Sequence, residues 1–185
     1  MNTVQIAQRM TADEYLALGE SHPRAQLIGG EVVVDQPKAP HQRVVRAVFR
    51  ALDAWALTSP GRGEVMWPLD VKLDQRHVFG PDILWYAEGR VLGDEAPYPL
   101  PDLAVEVRSP STWRHDVGAK WLAYERAGLQ ELWPVDTVAE AVVACRRTSL
   151  TVSTFDVLLE VAEGQQLTSP QLPGFALDVA SLFAG

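Results

Sequence analysis

The chain has 185 residues, 47% hydrophobic and 22% charged, with a formal net charge of −8 and a single cysteine, Cys145. That size and balance suit one globular domain with a sizeable core; the acidity argues against a basic nucleic-acid coat protein, while local patches leave room for an enzyme. One cysteine excludes an internal disulfide or Cys-rich zinc site, and no run reaches the ~20 apolar residues of a membrane helix, so a cytoplasmic protein without signal peptide or membrane contact is expected.

Thr11-Ala12-Asp13-Glu14 has the form of a capping box and predicts a short helix ending near Gly19. Ala25 to Ile28 and Glu31 to Val34 read as strands around a Gly29-Gly30 hairpin turn. Pro37 and Pro40 punctuate a loop. From His41 to about Leu57, Val44, Val48, Leu52 and Trp55 recur at helical spacing, widened by Val45, Phe49 and Ala56 into a broad buried stripe. In Glu64 to Leu73 alternation predicts one long strand, placed at an edge or bulge by Pro68. Asp74 to His77 reads as a polar turn, Asp82 to Tyr86 as the next strand and Ala87 to Pro101 as a surface loop.

The stretch PDLAVEVRSPSTWRHDVGAKWLAY is the richest in chemistry. Leu103, Val105 and Val107 alternate with Ala104, Glu106 and Arg108 as a two-faced strand. Ser109-Pro110-Ser111-Thr112 breaks it and caps a helix that sets Asp116, Lys120 and Tyr124 on one face. Gly128 ends that helix, and Glu131 to Asp136 returns as a strand. A strand, helix, strand passage of this length predicts a parallel crossover. Ala141 to Arg147, Leu150 to Phe155 and Val157 to Ala162 read as a meander, and Leu172-Pro173-Gly174 leads to a closing helix with Asp178 as its cap.

Candidate residues divide between structural and chemical readings. Pro-Asp at Asp82 is ordinary turn chemistry, yet it offers a carboxylate beside an apolar strand. Glu106, if both faces of its strand are covered, needs a metal or a cation. Lys120 pairs with Asp116 at helical spacing for roughly 0.2–0.5 kcal/mol, or reaches toward Glu106. Arg108 pairs with Glu106 or grips a phosphate with its fork of donors. His41 is a solvated first-turn residue, a proton shuttle or a metal contact; His22, His77 and His115 read as solvated. Trp113 and Trp121 read as packing, and Cys145 as inert core. Two acids and a lysine on adjacent elements suit metal-assisted attack on a phosphate.

The ordered set QLIGGEVV, a histidine opening a helix, GPDILWY, PDLAVEVRSPST, RHDVGAKWLAYERAGLQELWPVD and LPGFALDVASLF resembles the bacterial restriction endonuclease family of Uma type. That family is a branch of the PD-(D/E)XK nuclease superfamily. The likeness runs from Met10 to Phe183. It implies an α/β fold with a mixed sheet, a core of helix, three-strand meander, helix and strand, and an added N-terminal hairpin and C-terminal strands. By the motif Asp82 is the metal-binding aspartate and Glu106 the second acid. Arg108 takes the usual lysine position, where this branch carries an apolar residue, and Lys120 on the following helix takes the lysine's role. Gln26 stands where the family has a glutamate, Gly29 replaces an aspartate, and Pro134 falls in a strand that is ordinarily apolar throughout.

The resemblance implies hydrolysis of a nucleic-acid phosphodiester, DNA first, with Mg²⁺ or Mn²⁺ held by Asp82, Glu106 and the Val107 carbonyl. Lys120 would act on the water or on phosphate charge, with Asp116, Arg108, Gln26 and His41 in support. Cutting both strands implies a homodimer. Two other readings stand beside it: a nuclease-fold module that binds nucleic acid or protein without turnover, and a hydrolase of a different phosphoester.

Overall fold

The computed structural model of the protein describes residues 9–19, 25–34, 37–90, 92–108 and 116–184, with only the backbone of Asp116 and Val117. His22, His115, Trp113 and the Ser109 to Thr112 cap lie outside the described residues, as does the side chain of Asp116. Helix α1 (Ala12–Leu16) opens on the expected capping box, with Thr11 and Glu14 exchanging hydrogen bonds. Strands β1 (Ala25–Ile28) and β2 (Glu31–Val34) pair antiparallel around Gly29 and Gly30. Both glycines have positive φ, 60° and 83°, the requirement of a hairpin turn whose twist matches its strands.

Helix α2 (Ala39–Leu57) starts two residues before His41, because Pro40 sits in the first turn, where a missing N–H costs nothing. Its stripe of Val44, Val48, Leu52 and Trp55 is buried as expected. The chain then departs from one long strand. Pro68 lies between β3 (Glu64–Met66) and β4 (Val71–Asp74), and the two join different sheets. A proline cannot donate to a ladder, so the pairing ends there. The expected polar turn is the tip of a further hairpin: β5 (His77–Phe79) pairs with β4. Asp74 accepts from the Arg76 amide at 2.7 Å and meets His77 Nδ1 at 2.8 Å, so His77 is bonded and largely buried instead of solvated.

Strands β6 (Ile83–Tyr86), β7 (Leu103–Val107) and β8 (Glu131–Asp136), with β9 (Ala141–Arg146) and β10 (Val157–Val161) further along the chain, form a six-stranded sheet in the order β10-β9-β8-β7-β6-β3. A second sheet runs β2-β1-β5-β4. Between β7 and β8 the chain makes a π-helical turn, Asp116–Lys120, then helix α3 (Trp121–Ala127), closed by Gly128 in the left-handed region at φ 92°. β7 and β8 are parallel, as the crossover requires. Strand β8 is continuous through Pro134. Its partners in β9 (Ala141–Arg146) are recorded at Leu132 and again at Val135 in one register, so the missing N–H removes bonds without a slip. Residues 150–155 are a loop and not a strand, since Arg147 binds the carbonyls of Val152 and Ser153 that a ladder would need. After β10 (Val157–Val161), a ribbon of β11 (Gln166–Leu167) and β12 (Leu177–Asp178) leads to α4 (Ala180–Phe183), where Asp178 accepts from the Ala180 amide.

Both faces of the six-stranded sheet are covered. Alternate residues Ile83, Trp85, Leu103, Val105, Trp133 and Val135 pack under α2 and the C-terminal ribbon. Ala104, Leu132 and Cys145 pack under α3 with Phe79 from the other sheet. Burial, with Glu131 and Glu125 nearby, pushes the Cys145 thiol upward, which leaves it an inert core residue. Among the described residues no helix is long and apolar enough to cross a membrane.

One polar cluster ties the C-terminal ribbon to this sheet. Glu131, 1% exposed, accepts from Trp133 Nε1 at 2.6 Å, Arg146 Nε at 2.8 Å and Ser169 Oγ at 2.5 Å. Replacing it strands the Arg146 guanidinium. Glu131→Ala is expected to lower the unfolding free energy by about 3–5 kcal/mol, read by urea denaturation; a loss below 1 kcal/mol would show that the cluster contributes little.

Candidate active site

Glu106 has a neutral, apolar residue on each side and lies in a strand buried along its whole length. Its carboxylate is therefore enclosed, 7% exposed, and a charge in that position requires partners. Two are recorded. Lys120 Nζ, 2% exposed, donates to Oε2 at 3.0 Å, and Tyr124 Oη, fully buried, donates to Oε1 at 2.6 Å. Both come from the crossover. The π-helical turn sets Lys120 at the start of α3, and Tyr124 follows one α-helical turn later. Phe79 closes the cluster, with its ring 5.6 Å from Lys120 Nζ and edge-on to Tyr124 at 5.2 Å. Lys120 thus binds a carboxylate on the sheet, and the expected Asp116 pairing rests on a side chain outside the described residues.

Asp82 stands at the same end of the neighbouring strand. Its Oδ2 accepts from the Val107 amide at 2.8 Å and lies 3.4 Å from His41 Nε2. The carboxylate takes the place of a ladder acceptor at the residue next to Glu106, which locks β6 and β7 together where the acids sit. His41 is buried, at 4% exposure, and not the solvated first-turn residue expected, because α2 begins earlier and turns it inward over Asp82. Gln26 accepts from the Gly80 amide at 3.4 Å, fixing the approach to Asp82. Arg108 Nη1 donates to both oxygens of Asp136, at 2.8 and 2.9 Å, clamping the ends of the two parallel strands.

Asp82, Glu106, Lys120, Val107 and Tyr124 are thus joined through hydrogen bonds or backbone adjacency, with His41 in polar contact with Asp82, at the end of the sheet where β7 and β8 finish. The two acids nonetheless open on different spaces. Asp82 lines a cleft of about 840 Å³ with Gln26, Gln42, Asp70, Asp94 and Glu95. Glu106 lines a smaller, mainly apolar one of about 230 Å³ with Trp121, Tyr124 and Pro134. In the larger cleft burial raises the Asp70 carboxyl, and burial with Asp70 nearby pushes the Tyr15 phenol up to about 12. Burial also pushes Asp136 up, but the Arg108 hydrogen bonds and the Val138 and Ala139 amides outweigh it, leaving Asp136 below its ordinary value. Tyr124 and Phe79 were not singled out as site residues from sequence. Tyr124 carried a signal, its spacing from Lys120, whereas Phe79 reaches the site from a separate sheet with no local pattern to mark it.

The fold these elements build is a nuclease-type mixed α/β fold. It matches the crystal structure of a putative nuclease belonging to DUF820 from Anabaena variabilis ATCC 29413 with a TM-score of 0.77 at 20% identity, over 94% of this chain and 97% of that one. The helix, the β3-β6-β7 antiparallel run, the crossover helix and β8 follow the expected order, with β4 and β5 inserted. A family model described as Uma2, putative restriction endonuclease, matches residues 12–180, and the chain belongs to that family. No curated protein matches it.

Lys120→Met would leave Glu106 charged without its cation and should cost about 3–5 kcal/mol of stability, whereas Tyr124→Phe should cost about 1–3 kcal/mol. The triple substitution E106L/K120M/Y124F removes every charged or hydroxyl group and should recover most of the loss, as thermal and urea unfolding would show. A triple variant as unstable as Lys120→Met would mean the cluster is not held by pairing. The Arg108–Asp136 clamp makes a separate prediction. A carboxyl held below its unfolded value of 3.8 stabilises the fold above that pH, and the contribution is lost as pH falls through the depressed folded value. Arg108→Met should therefore reduce stability at neutral pH, with the gap to wild type closing in acid below about pH 3 to 4.

Proposed function

We propose that the protein hydrolyses phosphodiester bonds of nucleic acid, DNA first, with Mg²⁺ or Mn²⁺ at Asp82 and Glu106. The observation that carries the reading is the buried Glu106–Lys120–Tyr124 cluster bonded next to Asp82, in a chain of a restriction endonuclease family. Two carboxylates are the hard oxygen donors such ions take. Among the described residues no three His, Cys, Asp or Glu are grouped for a metal, so a third ligand falls to the backbone. Continuing the β6–β7 register past Ile83 opposite Val105 sets Pro81 opposite Val107. Proline has no N–H to give, which suits the Val107 carbonyl to that role.

Bound there, the ion would lower the pKa of a coordinated water and polarise a phosphoryl oxygen. The chain's own residues divide the remaining work. Asp82 would be a ligand to the ion, with His41 and the Val107 amide fixing the orientation of its carboxylate. Tyr124 holds Glu106 in one rotamer. Lys120, a cation beside a carboxylate, serves to neutralise charge accumulating on the phosphate. Gln26 and Gln42 offer neutral donors from the walls of the cleft. The lining acids Asp70, Asp94 and Glu95 repel a bare phosphate, which makes entry depend on bound cations. Cutting both strands of a duplex would take two such sites, hence a homodimer.

A non-catalytic binding module is the second reading, favoured by one observation: both Glu106 oxygens already accept hydrogen bonds. The test is incubation of supercoiled plasmid, single-stranded DNA and RNA with Mn²⁺ or Mg²⁺. Wild-type protein should cleave at least one, with Asp82→Asn slower by about 100-fold or more. Calorimetry should show an Mn²⁺ site that Asp82→Asn abolishes. Inert wild-type protein lacking that site would establish the module, and cleavage surviving both Asp82→Asn and Lys120→Ala would trace to a contaminant.

A further inference from the structure

The exposed side of α2 is not used by the chemistry above. Its buried stripe faces the sheet, and the opposite side carries Arg43, Arg46 and Arg50, all exposed. The helix holds one acid, Asp53, in a chain whose net charge is −8. A solvated helix face in an acidic protein ordinarily interleaves Glu with Lys or Arg as i,i+4 pairs. Here, among the described residues, no ion pair is recorded for any of the three arginines. Gln42, Arg46 and Arg50 are each four residues apart and so form a single ridge along the helix. Its first member lines the cleft that holds Asp82.

An aromatic surface lies beside this ridge. Phe49, between Arg46 and Arg50 in sequence, stacks on Trp67 with ring centroids 3.9 Å apart and planes 7° from parallel. Trp67 is 51% exposed, so one face rests on Phe49 and the other is presented to solvent. Pro68 and Leu69, which follow it, line the same cleft as Gln42. A flat aromatic face and a row of unpaired-by-acid guanidinium groups, both adjoining one cleft, are the two components of a single-strand binding surface.

We propose that the Gln42–Arg46–Arg50 ridge and Trp67 form a track for single-stranded nucleic acid leading to the Asp82 cleft. Arg46 and Arg50 bind successive phosphates, and one unpaired base stacks on the open face of Trp67. Duplex is disfavoured because its bases are already stacked on one another and offer no free face to the indole. The track deepens the nuclease reading by naming an unpaired strand as the substrate class, but it is measured by binding alone.

The experiment is fluorescence anisotropy of labelled oligonucleotides in Ca²⁺ and in EDTA, over a salt series, with single-stranded DNA, single-stranded RNA and duplex as separate arms. Wild-type protein should prefer single strands. Trp67→Ala should weaken binding by roughly 5- to 150-fold, with Trp67→Phe retaining most of it. Arg46→Gln with Arg50→Gln should lower the slope of log affinity against log salt by about 1.4, two phosphates at about 0.7 each. Arg126→Gln on α3 should change neither quantity. Absence of oligonucleotide binding, equal binding by all variants, or a preference for duplex would overturn the track. Binding with the expected variant pattern but no cleavage would uphold it and refute the nuclease reading; cleavage with indifferent variants would do the reverse.

Discussion

A carboxylate placed inside a strand that is buried on both faces sets the terms for the rest of this structure. Glu106 has apolar residues before and after it and is 7% exposed, so its charge must be met largely from within. Lys120 and Tyr124 meet it, one on each oxygen. That requirement fixes where the crossover helix can lie, because both donors must point down at the same residue. The helix widens into a π turn just before α3 and Lys120 is its last residue; such turns are frequent at functional sites. Replacing the ionic pair with apolar side chains is commonly neutral or stabilising, so a buried pair is weak evidence of selection for stability.

The covering of the second face follows from the same constraint. Helix α2 buries its broad stripe against Val105 and Val107, and its first turn delivers His41 to Asp82. Asp82 in turn satisfies the Val107 amide, a ladder donor facing a position where the opposite strand has given way to Pro81. Each acid is therefore both a structural partner and a candidate ligand. The large cleft beside Asp82 and the small apolar one beside Glu106 are separate spaces, and Val107, whose amide donates to Asp82 and which follows Glu106 in the chain, links the two acids through the backbone.

Much of this was legible from residue order. Alternation around Glu106 marked a strand, its length and the following helix marked a parallel crossover, and both came out as read. The positions of Asp82, Glu106 and Lys120 at one end of the sheet followed from that topology. Pairing was less legible. Glu64 to Leu73 alternates as cleanly as a continuous strand, yet its two halves on either side of Pro68 join different sheets, a choice settled by partners far away in sequence. β5 was hidden because Asp74 and His77 look like turn residues while bonding to each other across a hairpin end. Glu131 reads only as the polar first residue of an apolar strand, and its bonds to Trp133, Arg146 and Ser169 form once the C-terminal ribbon returns beside it.

The distribution of charge resolves an apparent conflict between an acidic chain and an anionic polymer as substrate. Net charge governs long-range attraction only weakly at physiological salt, where the screening length is about 8 Å; what a phosphate meets locally decides binding. Here the acids collect where a cation would be held, in the Asp82 cleft with Asp70, Asp94 and Glu95. Arg43, Arg46 and Arg50, all exposed, lie on the outer side of α2, beyond His41 and Gln42 in its first turn. A strand laid along that helix would pass from guanidinium groups to carboxylates within a few residues' rise, at 1.5 Å each. On the proposed reading affinity would come from the helix and reactivity from the sheet edge, so the negative sum says little about the surface that a polymer would first touch.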